Sequence, residues 1–244
     1  VVDWGTVASW LQGATALEGV RADAGIVYVE RRPYAFAAMS TYMGEGDAGG
    51  RALEALAREA ALAAIGEMYR YPDPRGGDLR RALAAAHGLD PSQISLGNGS
   101  HELLMHLAQV FAGPGVDVVL PQYGFAVFAI AARAAGANAL IVPALPADDA
   151  MPYGHDLDAL LAAITPDTRL LYVANPNNPT GTWYAADAFE RFLAAVPERT
   201  LVVVDEAYAE CADAPDYASA LGLLGKYRNL IVTRTFSKAY ALAG

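Results

Sequence analysis

Residues 170–181 read Leu-Leu-Tyr-Val-Ala-Asn-Pro-Asn-Asn-Pro-Thr-Gly, an apolar run followed almost at once by asparagines, prolines and a glycine. A short continuous apolar run is typical of a strand that is buried on both faces, as in a parallel sheet. Four more such runs lie at 117–121, 139–142, 201–204 and 230–232. Helix-like stretches separate them, at 125–135, 157–164 and 185–196. This alternation predicts a wound α/β fold with a mostly parallel sheet.

The chain that precedes these runs has a different pattern. Residues 51–69 are rich in alanine, leucine and glutamate, and residues 79–87 form a second helical stretch that ends at Gly88. Residues 44–50 are rich in glycine, which predicts a flexible loop. We therefore divide the chain into an N-terminal segment, 1–50, and a large domain, 51–244.

The composition argues against several classes of protein. The 244 residues carry 17 basic and 27 acidic side chains, a net charge of −10, whereas nucleic-acid binding needs clustered lysine and arginine. No apolar run reaches the roughly 18 to 20 residues of a membrane span, so we expect a soluble protein with no membrane partner. Cys211 is the only cysteine, which excludes an intrachain disulfide and a cysteine-based zinc site and favours a cytoplasmic setting. We expect Cys211 to be a small buried side chain.

Polar segments follow several of the apolar runs, and ligands of wound α/β sheets bind at the carboxyl ends of the strands. The polar segments are 175–181, 205–208, 233–238 and, before a further helix, 97–102. Each also has a plain structural interpretation, because Ser100 or Asp205 could cap a following helix and Lys238 could be a solvated lysine. Only Lys226 and Lys238 are lysines, and the polar turn at 225–229 predicts that Lys226 is exposed.

In chain order, these motifs resemble the class I/II aminotransferases, which use pyridoxal 5′-phosphate and share the fold of aspartate aminotransferase. The family motifs are Asn-Pro-Asn-Asn-Pro-Thr-Gly at 175–181, Asp-Glu-Ala-Tyr at 205–208 and Thr-Phe-Ser-Lys-Ala-Tyr-Ala-Leu-Ala-Gly at 235–244. The segments Tyr-Arg-Tyr-Pro-Asp-Pro at 69–74, Gly-Asn-Gly-Ser at 97–100 and Arg-Thr-Phe-Ser-Lys-Ala at 234–239 resemble the histidinol-phosphate branch. The resemblance covers about residues 60–244 and implies the three-layer α/β/α large domain of this fold type.

The resemblance implies an activity and two alternatives to it. An aminotransferase of this branch would move an amino group between an amino acid or amine, such as histidinol phosphate, and a 2-oxo acid such as 2-oxoglutarate. Both substrates would be small molecules of amino-acid biosynthesis. A pyridoxal-phosphate-dependent decarboxylase of the threonine-phosphate type shares most of the motifs, and a noncatalytic module that only binds the cofactor is the third hypothesis.

The resemblance also implies roles for residues around the cofactor ring. Lys238 would form the internal aldimine with the cofactor and later carry a proton to and from the substrate α-carbon. Asp205 would pair with the ring nitrogen, which makes the ring a better electron sink. Tyr208 and Asn178 would hydrogen-bond the phenolic oxygen. Tyr123 would stack on the ring face, although a core aromatic is its alternative interpretation.

A second implied group binds the cofactor phosphate. Its members are Gly99, Ser100, His101, Thr235 and Ser237. Ser100 and His101 would use their backbone N–H groups at the start of a helix, where the helix dipole favours an anion. Tyr71 would reach the phosphate of the partner subunit, which implies a homodimer.

The chain departs from the family pattern in two places. Glu-Arg-Arg-Pro-Tyr at 30–34 stands where the branch has Asn-Glu-Asn-Pro-Tyr, and about a dozen extra residues follow, including the glycine-rich loop. Arg31 or Arg32 could contact an anionic substrate, and we favour a surface position for both. In relatives the N-terminal segment belongs to the small domain or to a lid. Relatives also continue beyond Gly244 into a C-terminal small domain that is missing from this chain, so we expect a fragment rather than a truncated product.

Overall fold

The computed structural model describes Ile65, Tyr71, Asp73 and residues 75–239. These residues fall into two compact units, one of residues 98–235 and one of the described residues up to 97 together with 236–239. Several expectations lie outside the described residues: the N-terminal segment, Arg31, Arg32, the glycine-rich loop and nearly all of the helix expected at 51–69. The domain boundary at residue 50 therefore stays a prediction.

Helix α1 belongs to the smaller described unit. It spans Gly77–His87 and ends at Gly88, whose φ of 66° is the left-handed conformation of a helix end. The prediction of a helix ending at Gly88 is confirmed. Arg80 donates from Nε and Nη2 to the carbonyl of Pro91 at 3.1 and 2.7 Å. These two bonds tie α1 to the short 3₁₀ turn Pro91–Gln93 that follows it.

A five-stranded parallel sheet forms the centre of the unit of residues 98–235. The strands are β1 (Asp117–Pro121), β2 (Asn138–Val142), β3 (Thr168–Ala174), β4 (Leu201–Asp205) and β5 (Leu230–Thr233). Their order across the sheet is β2-β1-β3-β4-β5. Each predicted apolar run is one of these strands, so the prediction of a wound parallel sheet is confirmed.

Helices cover both faces of this sheet. They are α2 (Gly99–Phe111), α3 (Ala126–Ala134), α4 (Leu157–Ala162) and α5 (Ala186–Ala195). On one face, Leu104 of α2 and Phe128 of α3 pack with Tyr172 and Val203 in a buried cluster. On the other face, α4 and α5 pack with alternate strand residues such as Val204. The expected three-layer α/β/α architecture is therefore confirmed for this unit.

The alternation of side chains along β4 places Asp205 and Glu206, at its end, on opposite faces of the sheet. Val203 faces α2 and α3, whereas Val204 faces α4 and α5. Successive strand residues point to opposite faces, so Asp205 belongs to the α2 side and Glu206 to the α5 side. On the α2 side, the Tyr172 hydroxyl donates to the carbonyl of Leu104 at 2.9 Å, which fixes α2 against β3. None of the helices in the described part of the chain is long and apolar enough to cross a bilayer.

Candidate functional site

Two asparagine side chains organise the loop after β3, and one of them joins it to the loop after β1. Asn175 accepts from the backbone N–H of Tyr184 at 3.2 Å and donates to its carbonyl at 3.4 Å, which closes the loop after β3 on itself. The Nδ2 of Asn177 donates to the carbonyl of Tyr123 at 2.8 Å and to the hydroxyl of Thr180 at 2.7 Å. Asn177 therefore holds the backbone of Tyr123 beside the β3 loop, a role that the sequence reasoning missed.

Asp205 is a buried carboxylate at the carboxyl end of β4. It is 4% exposed, and its Oδ1 accepts from the hydroxyl of Thr233, the residue paired with it on β5, at 2.9 Å. The interpretation of Asp205 as a helix cap is wrong, because the residue lies within β4 and the 3₁₀ turn that follows, Ala209–Cys211, begins after Tyr208. This contact with Thr233 was not predicted from the sequence.

A cavity of about 430 Å³ lies beside the β3 loop and the turn after β4. Its polar and aromatic lining residues include Asn177, Asn178, Trp183, Tyr208, Cys211 and Asp213. The structure thus brings together Asn178 and Tyr208, two of the residues proposed to bind the cofactor. Cys211 is exposed on the 3₁₀ turn at this cavity, so the expectation of a small buried side chain was wrong.

Tyr123 lies in the turn after β1 and is 40% exposed. Its ring meets that of Tyr153 edge-on, with 5.5 Å between the ring centroids. The alternative of a core aromatic is wrong, because 40% of the surface of Tyr123 is exposed. A partly exposed aromatic at the carboxyl edge of the sheet is available to pack against a ligand.

The start of α2 differs from the predicted cap. Asn98 is the N-cap residue and Ser100 lies within the first turn, 7% exposed, while His101 is exposed. The backbone N–H of Asn98 donates to Glu102 Oε2 at 2.7 Å, and this bond lowers the pKa of that carboxyl. Ser100 is therefore not the cap. The N–H groups of the first turn, from Gly99 to His101, have no partner within the helix by its geometry.

The remaining predicted residues fall in both units. Thr235 follows β5 in the larger unit and is 8% exposed. Tyr71, Ser237 and Lys238 belong to the other unit, where Tyr71 is 97% exposed and Lys238 is exposed. Lys226 pairs with Glu190, which raises the pKa of the Lys226 amine, and its side chain is 63% exposed. The prediction that Lys226 lies on the surface is confirmed.

The model of the family described as aminotransferase class I and II matches residues 40–244 of this sequence. The chain belongs to this family. Histidinol-phosphate aminotransferase 2 of Pseudomonas aeruginosa is 49% identical over 187 residues, which are 77% of this chain and 49% of that protein. The family resemblance predicted from the motifs is confirmed.

Solved structures of aminotransferases share the fold. The histidinol-phosphate aminotransferase of Sinorhizobium meliloti in complex with pyridoxal-5′-phosphate aligns with a TM-score of 0.68 and 37% identity, over 75% of this chain and 48% of that one. A Thermus thermophilus aspartate aminotransferase mutant aligns with a TM-score of 0.67 and 27% identity, over 75% and 52%. The chain spans about half the length of these relatives.

A buried histidine contacts the backbone at the end of β3. His155 is 7% exposed, and its Nε2 accepts from the N–H of Ala174, the last residue of β3, at 3.2 Å. Nδ1 is buried without a hydrogen-bond partner among the described residues. Burial lowers the pKa of His155 from 6.5 to about 4. The imidazole is therefore neutral in the folded chain at neutral pH, as an acceptor at Nε2 must be.

His155 is expected to make the chain less stable in acid. The unfolded chain protonates this histidine below its ordinary pKa and the folded chain does not, so stability falls between pH 6.5 and about 4. The loss amounts to about 3 kcal/mol between pH 7.5 and pH 4. Urea unfolding of His155→Gln, whose side-chain oxygen can still accept from Ala174, should show a pH dependence smaller by this amount. His106→Gln, at an exposed site, is the control. If the free energy of unfolding changes equally with pH in the two variants, the prediction is contradicted.

Proposed function

We propose that the chain binds pyridoxal 5′-phosphate and acts as an aminotransferase on an amine of the histidinol-phosphate type, with a 2-oxo acid such as 2-oxoglutarate as the partner substrate. The observation that carries the proposal is the buried carboxylate of Asp205 at the end of a central strand. The family and the relatives named above support it. Bound pyridoxal phosphate supplies an electron sink for the carbanion that forms at the substrate α-carbon.

The charged and polar groups of the candidate site suit the charges of such a cofactor. The hydroxyl of Thr233 donates a hydrogen bond to Asp205 and fixes this carboxylate at the end of β4. The carboxylate would pair with a protonated ring nitrogen of the cofactor. On the same sheet face, the first turn of α2 offers backbone donors to a phosphate at Gly99, Ser100 and His101. Thr235 and Ser237 would add hydroxyl donors.

The ring would be oriented by residues from three loops. Asn178 and Tyr208, which line one cavity, would donate hydrogen bonds to its phenolic oxygen. Tyr123, partly exposed and held by Asn177, would pack on the ring face. Because these groups come from the ends of β1, β3 and β4, the parallel sheet fixes their relative positions.

Lys238 would be the amine that attaches to the cofactor and moves the proton at the substrate α-carbon. An amine must lose its proton to act as a nucleophile. Lys226 does not suit this role, because its ion pair with Glu190 favours the protonated form. The proposal also includes a homodimer, in which the exposed Tyr71 reaches the partner's cofactor phosphate, and a cytoplasmic location, which the single cysteine supports.

The proposal is tested by cofactor binding followed by a search for the product. Titration with pyridoxal phosphate should produce a visible absorbance band that saturates at about one cofactor per chain. The loaded protein, given histidinol phosphate and 2-oxoglutarate, should then release glutamate. Release of carbon dioxide from an amino-acid phosphate, without glutamate formation, would favour the decarboxylase instead. Cofactor binding with neither product would favour the noncatalytic module, and failure to bind would refute the proposal.

A further inference from the structure

An ion cluster lies behind the turn that carries Tyr208. It consists of Arg234, which follows β5, and of Glu206 and Glu210, which follow β4; we call these three residues the Arg234 cluster. The Nη2 of Arg234 donates to Glu210 Oε1 at 2.5 Å, and its Nη1 lies 3.7 Å from Glu206 Oε2. The Arg234 side chain is 27% exposed, Glu210 10% and Glu206 1%. One guanidinium therefore bridges two largely buried carboxylates.

Glu206 is fixed independently of the arginine. Its two oxygens accept from the hydroxyl of Ser219 and from the backbone N–H of Ala220, each at 2.6 Å. Burial raises the pKa of Glu206, and these two hydrogen bonds and Arg234 act in the opposite direction. The glutamate is thus held to the segment after residue 218, and it gives Arg234 a fixed point from which to reach Glu210.

The two glutamates enclose a short turn of backbone. The N–H of Ala209 donates to the carbonyl of Glu206 at 3.1 Å, and the N–H of Cys211 donates to the carbonyl of Tyr208 at 2.9 Å. Tyr208 lies between the glutamates in sequence and lines the cavity that it shares with Asn178. Local backbone bonds hold the turn together, and the Arg234 cluster joins its second half, through Glu210, to the end of β5.

We propose that Arg234 is a positioning residue, which holds the turn of residues 206–211 against the end of β5 and so keeps Tyr208 at the wall of the cavity. The inference rests on the proposed function, in which Tyr208 hydrogen-bonds the cofactor. The contact joins the two adjacent strands β4 and β5 just beyond their paired residues Asp205 and Thr233. A charge-assisted hydrogen bond of this kind adds geometric precision that the backbone bonds of a short turn do not supply.

The first test needs no cofactor. Glu210→Gln removes one charge from the cluster and leaves Arg234 beside Glu206. Hydrogen–deuterium exchange of the free chain should then become at least about tenfold faster for the amides of 206–211 and stay unchanged in α5. Lys226→Gln, which removes the exposed ion pair with Glu190, is the matched control and should leave both segments unchanged. Unchanged exchange at 206–211, or faster exchange throughout the unit, would overturn the proposal.

The second test asks whether the cluster acts through Tyr208. We expect Glu210→Gln and Tyr208→Phe each to weaken pyridoxal phosphate binding by about tenfold, and the double variant to bind no worse than Tyr208→Phe alone. If the two losses of cofactor affinity multiply in the double variant, Glu210 does not act through Tyr208, and the proposal is contradicted. Arg234→Lys keeps the positive charge but cannot contact both glutamates as the guanidinium does. It should retain only part of the wild-type protection of the 206–211 amides against exchange. If the wild-type chain binds no cofactor, the proposed function fails, and the exchange measurement alone decides whether Arg234 holds the turn.

Discussion

Lys238→Ala is expected to abolish covalent attachment of pyridoxal phosphate and to lower any amino-transfer rate by about 10³-fold or more, because nucleophile and proton carrier are lost together. The sequence contains only one other lysine, Lys226, and its amine is engaged with Glu190 at the surface. The loaded chain should be reduced with borohydride, digested and analysed by mass spectrometry. In the wild type, the cofactor mass should lie on the peptide that contains Lys238.

Lys226→Ala is the matched control for this experiment, since it removes the other amine and leaves the proposed site intact. It should keep both the visible band and the labelled Lys238 peptide. A label that moves to Lys226, or a band that persists in Lys238→Ala at wild-type intensity, would show that the assignment of the reactive amine is wrong. Loss of the band in both variants would point to a general loss of structure instead.

The strands could be predicted from the sequence because each contains a short apolar run with polar residues, proline or glycine on either side. The run at 117–121 matches β1 at both ends. β3 begins earlier than its apolar run, at Thr168, which is fully buried and pairs with Asp117 of β1. Its hydroxyl accepts from the backbone N–H of Thr165 at 2.9 Å. A polar residue can be buried in the strand here because strand pairing and a local hydrogen bond satisfy its polar groups. A pattern of apolar residues reveals neither of these contacts.

The residues of the candidate site also differ in whether a local sequence pattern predicts them. Residues within motifs, such as Asn178 and Tyr208, could be picked out because the motif marks them. Asn177 and Thr233 were missed, because their roles depend on partners that lie 54 and 28 residues away in the chain. The prediction that Cys211 is buried was wrong for a related reason. It rested on the residue type, whereas the exposure of Cys211 depends on the position of its 3₁₀ turn.

Asp205→Asn is expected to weaken pyridoxal phosphate binding by about 10³-fold, which corresponds to about 4 kcal/mol. The amide has nearly the shape of the carboxylate, and its oxygen can still accept from Thr233, so the packing at the end of β4 is retained. The substitution removes the negative charge that we propose pairs with the ring nitrogen of the cofactor. Equilibrium dialysis of the cofactor should therefore show a large loss of affinity, whereas urea unfolding of the free chain should change by only about 1 kcal/mol.

Asp117→Asn provides the matched control, because Asp117 also accepts from a threonine hydroxyl, that of Thr165 at 2.6 Å, but lies at the start of β1. The parallel strands place that position at the opposite edge of the sheet from Asp205. Its replacement should leave cofactor affinity unchanged. Equal losses in the two variants would mean that net charge, and not the carboxylate at the end of β4, governs binding. A normal affinity in Asp205→Asn would remove the observation on which the proposed function rests.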